Sequence, residues 1–173
     1  MRLFVCVDPP GAVTEQIAAL LPAGRKIRWN PPDQQHFTLA FLGEQPDNRL
    51  VEVIEALTEV PLQRFTLSSK GIGWFRSGVI WLGVETCPEL MLLQKRVSDR
   101  LQAAGFKMER RSFVPHLTLC RSRHGLDAGL LEMLEHRFYD QQFSFTVDRF
   151  LLKRSELRSD GARHITEAVF TAD

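Results

Sequence analysis

Two short motifs carry the residues best suited to catalysis in this sequence. His36-Phe-Thr-Leu and His116-Leu-Thr-Leu both place a threonine two positions after a histidine. In a β-strand, residues i and i+2 point to the same face. Each motif therefore predicts an imidazole and a hydroxyl side by side on one face of a strand, where they could move protons and bind an anion.

Together the two motifs supply the parts needed to attack a phosphodiester. The unperturbed pKa of histidine, about 6.5, makes both its acid and its base form available near neutral pH. One imidazole can take a proton from an attacking water while the other gives one to the leaving oxygen, and each typically contributes about 10²–10⁴-fold in rate. The hydroxyls of Thr38 and Thr118 can donate to phosphate oxygens. The motifs alone leave open which histidine is the acid.

The motifs recur at a fixed spacing, which indicates a duplicated fold. The offset between the numbers of the two histidines equals the offset between Phe65 and Phe145, which begin the runs Phe-Thr-Leu and Phe-Thr-Val. We call this common spacing, from 36 to 116 and from 65 to 145, the repeat offset. The strand that begins at Leu3 matches the one near Val79 only with a few residues inserted.

The repeat predicts an α+β fold with two lobes related by a pseudo-twofold axis. Antiparallel sheets are expected to line a central cleft, with helices outside. We expect both lobes to belong to a single domain over residues 1–173.

Hydrophobic periodicity and turn residues predict the elements that position the motifs. Strands are expected at residues 2–8, 36–42, 65–75, 78–85, 116–120, 143–154 and 163–171. Helices are expected at residues 13–21, 47–59, 89–104 and 126–135. Gly24 is expected to follow the first helix as a stop, and Gly71 and Gly73 to mark strand curvature or a bulge.

Strict alternation predicts what each face of the motif strands carries. Ala40 and Cys120 are expected to share the face of the histidines and threonines. The opposite face, packed on the helices, is expected to carry Phe41 and, in the second strand, Arg121. Arg121 therefore reaches the cleft only if the strand ends or bulges there.

Composition limits the functional classes further. The chain is 44% hydrophobic and 25% charged, as is usual for a soluble globular protein. A net charge of +1 gives no global field for a long nucleic acid, so an acidic ligand must be bound locally. The basic residues do cluster, as Arg25, Lys26 and Arg28, as Arg110 and Arg111, and as Arg121 and Arg123.

The cysteines and the N-terminus bear on the cellular compartment. Cys6, Cys87 and Cys120 form no C-x-x-C pattern, so we expect reduced thiols. The N-terminal apolar run is too short for a signal peptide, so we expect a cytoplasmic protein.

A metal site is the main alternative for the two histidines. It would need a third ligand on the same face, but the i+4 positions hold Ala40 and Cys120, and no matched carboxylate is present. We therefore expect no metal at these histidines. No Walker-type phosphate-binding loop is visible in the sequence, and we expect no cofactor. His124, His136 and His164 have no repeat partners and are assigned to loop or surface roles.

With these motifs the sequence resembles the two-histidine (2H) phosphoesterase superfamily, and within it the bacterial RNA 2′,3′-cyclic phosphodiesterases, long named 2′-5′ RNA ligases. The matching stretches are RLFVCVDPP (2–10), IRWNPPDQQHFTLAFLGE (27–44), VIWLGVE (79–85) and RSFVPHLTLCR (111–121). The resemblance implies hydrolysis of RNA 2′,3′-cyclic phosphate ends to 2′-phosphomonoesters, with ATP-independent 2′-5′ ligation as the minor reverse direction. It also implies that His36 is the proton donor, that His116 is the proton acceptor and that Thr38 and Thr118 bind phosphate, with Arg121 as a further ligand contact.

Two other functions stay open. The same centre in a shorter cleft would act on small nucleotides such as an ADP-ribose cyclic phosphate or a 2′-5′ oligoadenylate. A non-catalytic RNA- or nucleotide-binding module is the other alternative, and the intact motifs speak against it. Phe4 and Trp29 could stack the terminal base, although each fits a core position better. The expected partner is an RNA 3′ end bearing a cyclic phosphate, and the chain is expected to be a monomer without membrane contact.

Overall fold

Strands and helices alternate along this computed structural model, which describes residues 1–23, 27–122, 125–159 and 161–172. The strands are β1 (Arg2–Val7), β2 (Phe37–Glu44), β3 (Phe65–Phe75), β4 (Val79–Val84), β5 (Leu117–Arg121), β6 (Ser144–Val147), β7 (Arg149–Arg158) and β8 (Gly161–Thr171). The helices are α1 (Gly11–Leu20), α2 (Leu50–Thr58), α3 (Pro88–Ala103) and α4 (Ala128–Phe138), and short 3₁₀ turns cover Pro32–Gln34 and Asp47–Arg49. The predicted α+β class is confirmed. Every predicted element is present, the strand over residues 65–75 with the predicted ends and the others with shifted ends. The strand predicted over residues 143–154 is divided into β6 and β7, and Gly24 lies outside the described residues.

The four inner strands of one antiparallel sheet are arranged symmetrically about its centre. The order is β6-β3-β4-β5-β2-β1-β7-β8, so the two motif strands, β2 and β5, are the middle pair. They join through Phe37 and Leu117, which are separated by the repeat offset. On the two sides, β1 flanks β2 as β4 flanks β5. The sheet therefore confirms that the strand containing Leu3 is the equivalent of the strand beginning at Val79.

The second repeated run also pairs with its own equivalent. β3 and β6 are antiparallel, with Thr66 opposite Thr146, and these two threonines are separated by the repeat offset as well. Two pairs in which a residue meets its own counterpart mark the position of a twofold axis relating the two halves. That residues 1–173 form a single domain stays a prediction.

The main core lies between the helices and one face of the sheet. In α3, the predicted stripe of Leu90, Leu93, Val97 and Leu101 is buried, and it packs in the same cluster as Leu117 of β5. Burying each of these side chains stabilises the fold by about 1.5–3 kcal/mol. No helix among the described residues is long and apolar enough to cross a membrane.

A smaller cluster on the other face defines what we call the open face of the sheet. In β1, Leu3, Val5 and Val7 belong to the main core, whereas Phe4 and Cys6 join the second cluster. Because side chains alternate along a strand, this second cluster points away from the helices. Any cleft lined by the motifs must therefore lie on this side.

Glycines bend β3 as expected. The register between β3 and β4 shifts between Ser69 and Ile72, and Gly71 has a positive φ of 61°. Such a backbone conformation is readily open only to glycine. The prediction of a bulge at this position is confirmed.

Candidate active site

Both motif histidines lie just before their strands and make the same hydrogen bond. The Nδ1–H of His36 donates to the carbonyl oxygen of Gln34 over 2.8 Å, and the Nδ1–H of His116 donates to that of Val114 over 2.8 Å. The two acceptors are again separated by the repeat offset. A carbonyl can only accept, so the proton of the neutral ring is assigned to Nδ1 and the lone pair to Nε2. Each ring can therefore take up a proton at Nε2 and give it back.

The register of the middle strands brings the four motif side chains together on one face. Because Phe37 lies opposite Leu117, one step along the antiparallel ladder places His36 across from Thr118, and Thr38 across from His116. The two histidines are then diagonal neighbours, whose backbones lie about 7–8 Å apart in such ladders. That arrangement leaves room for a phosphate with an imidazole on each side.

A β-bulge in each motif strand changes which residues face the site. The neighbouring strands skip Leu39 in β2 and Leu119 in β5, so the two bulges occupy equivalent positions of the repeat. One extra residue turns the rest of the strand over. Ala40 and Cys120 consequently belong to the main core, and the prediction that they share the face of the histidines is wrong.

The same bulges turn Phe41 and Arg121 toward the open face. Phe41 packs against the cluster that contains Phe4, so its predicted place on the core-packed face is wrong. Arg121 lies across from Val79, and its charge helps to lower the pKa of His116. The condition for Arg121 to reach the cleft is therefore met. Strict alternation predicts that its guanidinium lies against the core, where an unpaired charge is very costly. That conflict is a signal for a bulge in the sequence.

The wall beside His36 contains an ion pair that sequence analysis missed. Lys153 of β7 is 5% exposed, and its Nζ lies 2.5 Å from Oδ2 of Asp8. Burial, joined by the neighbouring His164 and Lys153, lowers the pKa of His36 from 6.5 to about 4, while the Gln34 carbonyl and Asp8 oppose this. His36 is therefore neutral at pH 7 in the free protein.

The assignment of His164 to a loop or surface role is wrong. It lies in β8 opposite Ser155 of β7, and its ring centroid is 5.0 Å from that of His36. No sequence signal marked it, because the contact depends on pairing between the last two strands. His136 is exposed on α4, as predicted, and His124 lies outside the described residues.

Two aromatic rings form the wall beside His116. Its ring contacts Phe75 edge-on at 5.0 Å and Trp81 at 5.9 Å. Trp81 pairs with Thr118 in the ladder between β4 and β5. Burial lowers the pKa of His116 below 6.5, the Val114 carbonyl opposes this, and Arg121 adds to the lowering.

The two residues expected as stacking platforms are both held in packed positions. Phe4 is 4% exposed and contacts His36 at 4.9 Å between centroids. Trp29 packs against the main core, bridges to Cys120 and donates its Nε1–H to the carbonyl of Pro22 over 3.1 Å. Stacking of a base on either ring stays a prediction.

Metal-ligating side chains are dispersed in the part of the chain that is described. No three histidine, cysteine or acidic side chains there are grouped so as to hold a metal ion. Cys6, Cys87 and Cys120 are free and buried, and burial raises the pKa of each thiol. Of the basic clusters, Arg25, Lys26 and Arg123 lie outside the described residues.

Comparison with known proteins agrees with this geometry. Residues 9–158 match the 2′-5′ RNA ligase superfamily. An RNA 2′,3′-cyclic phosphodiesterase of Thermotoga maritima is 32% identical over 171 residues, covering 93% of this chain and 90% of the relative. One of Escherichia coli K12 is 34% identical over 128 residues, covering 69% and 71%. A crystal structure of E. coli LigT complexed with 3′-AMP matches with a TM-score of 0.81 at 26% identity, covering 99% of this chain and 97% of that one. The chain belongs to the 2′-5′ RNA ligase superfamily.

Proposed function

We propose that this protein hydrolyses RNA 2′,3′-cyclic phosphate ends to 2′-phosphomonoesters. The observation that carries the proposal is the pair of matched hydrogen bonds, which hold His36 and His116 in the same tautomer beside the same central strand pair. Relatives named RNA 2′,3′-cyclic phosphodiesterase support the substrate class. When a 5′-hydroxyl attacks phosphorus in place of water, the same displacement forms a 2′-5′ linkage and needs no ATP.

The reaction follows from the two Nε2 atoms. A water oxygen attacks phosphorus while its proton passes to Nε2 of His116. The bond between phosphorus and O3′ breaks, and His36 donates its Nε2 proton to O3′, which leaves the phosphate on O2′. Thr38 and Thr118 donate hydrogen bonds to the non-bridging oxygens, and Arg121 faces the charge that builds there.

Substrate binding supplies the conditions under which His36 holds a proton. Its pKa of about 4 leaves the ring neutral at pH 7 in the free protein. A cyclic phosphate carries one negative charge, and an opposite charge within about 4–6 Å raises the pKa of an imidazole. The donor is therefore protonated more readily when the cleft is occupied than when it is empty.

The proposed setting is the cytoplasm, with a monomeric enzyme acting on RNA 3′ ends. Free, buried cysteines support a reducing compartment. No metal or cofactor has a part in the proposed reaction.

The primary test is hydrolysis of an RNA oligonucleotide ending in 2′,3′-cyclic phosphate, with EDTA present. We expect a 2′-phosphate product from the wild type and a loss of at least about 10²-fold in His36→Ala and in His116→Ala. His136→Ala, on the exposed side of α4, is the control and should keep full activity. Wild-type activity that EDTA abolishes and metal restores would make the histidines ligands, and tight binding without turnover would indicate a binding module. Higher kcat/KM on a cyclic mononucleotide than on the oligonucleotide would indicate a small-nucleotide enzyme.

A second test separates the acid from the base. A substrate with sulfur in place of O3′ has a leaving group that needs little protonation. We expect His36→Ala to recover most of its activity on this substrate, and His116→Ala to stay impaired. The opposite pattern would exchange the two roles without affecting the proposed reaction.

A further inference from the structure

A third histidine completes a cluster of rings around His36. The imidazole of His164 meets that of His36 edge-on, with centroids 5.0 Å apart and planes at 78°. Phe4 lies 4.9 Å from each of them, so the three rings contact one another pairwise. The two rings that contact the other motif histidine are a phenyl and an indole. The imidazole pair is thus a feature of one half of the cleft.

Packing holds the His164 ring in place. Its Nδ1 is buried and has no hydrogen-bond partner among the described residues. A protonated imidazole donates from both nitrogens, so a buried Nδ1 without an acceptor disfavours the charged ring. Burial accordingly lowers the pKa of His164.

Charged groups on three neighbouring segments act on this pair. Lys153 on β7 disfavours a proton on either ring, Asp8 beyond the end of β1 favours one on either ring, and Asp33 in the first 3₁₀ turn favours one on His164. Lys153 and Asp8 are themselves joined as an ion pair. Two imidazoles at 5.0 Å repel each other when both are protonated, so they titrate as a coupled pair.

We propose that His164 is a positioning residue for His36. Its ring and that of Phe4 fix the plane of an imidazole whose Nδ1–H is already held by Gln34, and a proton on one imidazole disfavours a second proton on the other. His164 acts through His36 and does not touch the substrate. The proposal rests on the proposed function in one respect only, namely that His36 is the reacting imidazole.

The decisive measurement is an NMR titration of the ring Cε1–H signals of His36 and His164. We compare the wild type with His164→Phe, which keeps an aromatic ring but cannot be charged, and with His136→Phe as the surface control. In His164→Phe the titration midpoint of His36 should rise by about 0.5 pH unit or more, because a like charge has been removed. The control should leave it unchanged. An unchanged midpoint in His164→Phe would overturn the coupling.

Kinetics on the cyclic-phosphate oligonucleotide test the positioning. His164→Ala should lower kcat about tenfold with little change in KM, because a misplaced acid slows the reaction without weakening binding. His164→Phe should keep most of kcat and shift the pH profile. Circular dichroism checks that both variants are folded, and if the alanine variant is not, the phenylalanine variant carries the test through its pH profile.

The two proposals fail in different ways. Unchanged kcat in His164→Ala and an unchanged pH profile in His164→Phe would make His164 only a part of the wall. A wild type that is inactive on cyclic phosphate but shows coupled titrations would overturn the proposed function and leave the imidazole pair standing.

Discussion

The indole of Trp81 occupies the space that a side chain at position 73 would need. Gly73 pairs with Trp81 across β3 and β4, and a Cβ atom on Gly73 would lie 2.2–2.5 Å from three carbons of the indole ring. Those distances are far inside the contact distance of about 3.5–4.0 Å between carbon atoms. The absence of a side chain at Gly73 thus lets the aromatic wall lie against His116.

Gly73→Ala should therefore damage both stability and activity. The new methyl group must displace Trp81, and overpacking of this kind typically costs about 1–3 kcal/mol of unfolding free energy. Gly11→Ala is the matched control, because a Cβ there meets nothing within 4 Å. Urea unfolding and kcat measure the two effects. Equal behaviour of the two variants would mean that the indole moves aside at no cost.

The pH dependence of kcat/KM should show an optimum on the acid side of 6.5. This parameter follows the free enzyme, in which burial lowers the pKa of His36 to about 4 and also lowers that of His116 below 6.5. One ring must be protonated and the other neutral, so the optimum falls between the two pKa values. Arg121→Gln should move the alkaline limb to higher pH, because the arginine charge helps to lower the pKa of His116. An optimum above pH 7 in the wild type would contradict this assignment.

The free energy of unfolding should fall as the pH drops from 6.5 to 4. In this window the unfolded chain protonates His36, whereas the folded protein, with its pKa of about 4, does not. Stability from this residue is thus fully present above pH 6.5 and is lost on acidification, by up to about 3 kcal/mol. Urea unfolding at pH 7 and pH 4.5 measures the loss, and His36→Gln should show a smaller one. Identical losses would show that the buried imidazole does not contribute.

The two halves of the buried ion pair should respond unequally to removal. Asp8→Ala leaves the ammonium of Lys153, 5% exposed, without its partner, and an uncompensated buried charge costs about 3–5 kcal/mol. Lys153→Met removes that buried charge and leaves Asp8, whose side chain is 33% exposed and can be hydrated. We expect the aspartate variant to be the less stable in urea unfolding. If Lys153→Met were the less stable variant, the loss of the lysine side chain would cost more than the unpaired buried charge that Asp8→Ala leaves.

The fold could be predicted from the sequence because its two halves carry matching motifs at one fixed spacing. The repeat offset between the two histidines is the same offset that separates Phe37 from Leu117 in the middle of the sheet. Strict alternation predicts the wrong face for the residues that follow the bulges at Leu39 and Leu119. A bulge depends on pairing with the neighbouring strand, and the hydrophobic pattern of the bulged strand alone does not reveal it.

The walls of the site were harder to predict than its centre. His36 and His116 stand within recognisable motifs, whereas Lys153 and His164 lie far along the chain from His36. They reach it because β7 pairs with β1 and β8 pairs with β7. Non-local strand pairing decides such contacts. Only Arg121 gives a local signal, because its charge conflicts with the core position that strict alternation predicts for it.

The twofold relation has a consequence for how the cleft can tell one end of a substrate from the other. Phe37 meets Leu117 and Thr66 meets Thr146, which is the isologous contact that two copies of a half-length chain would make. In such a homodimer both imidazoles would have identical surroundings and equal proton affinity. Because the two halves belong to one chain, equivalent positions can carry different residues. Phe41 in the first half corresponds to Arg121 in the second. Because their surroundings differ, the two imidazoles differ in proton affinity.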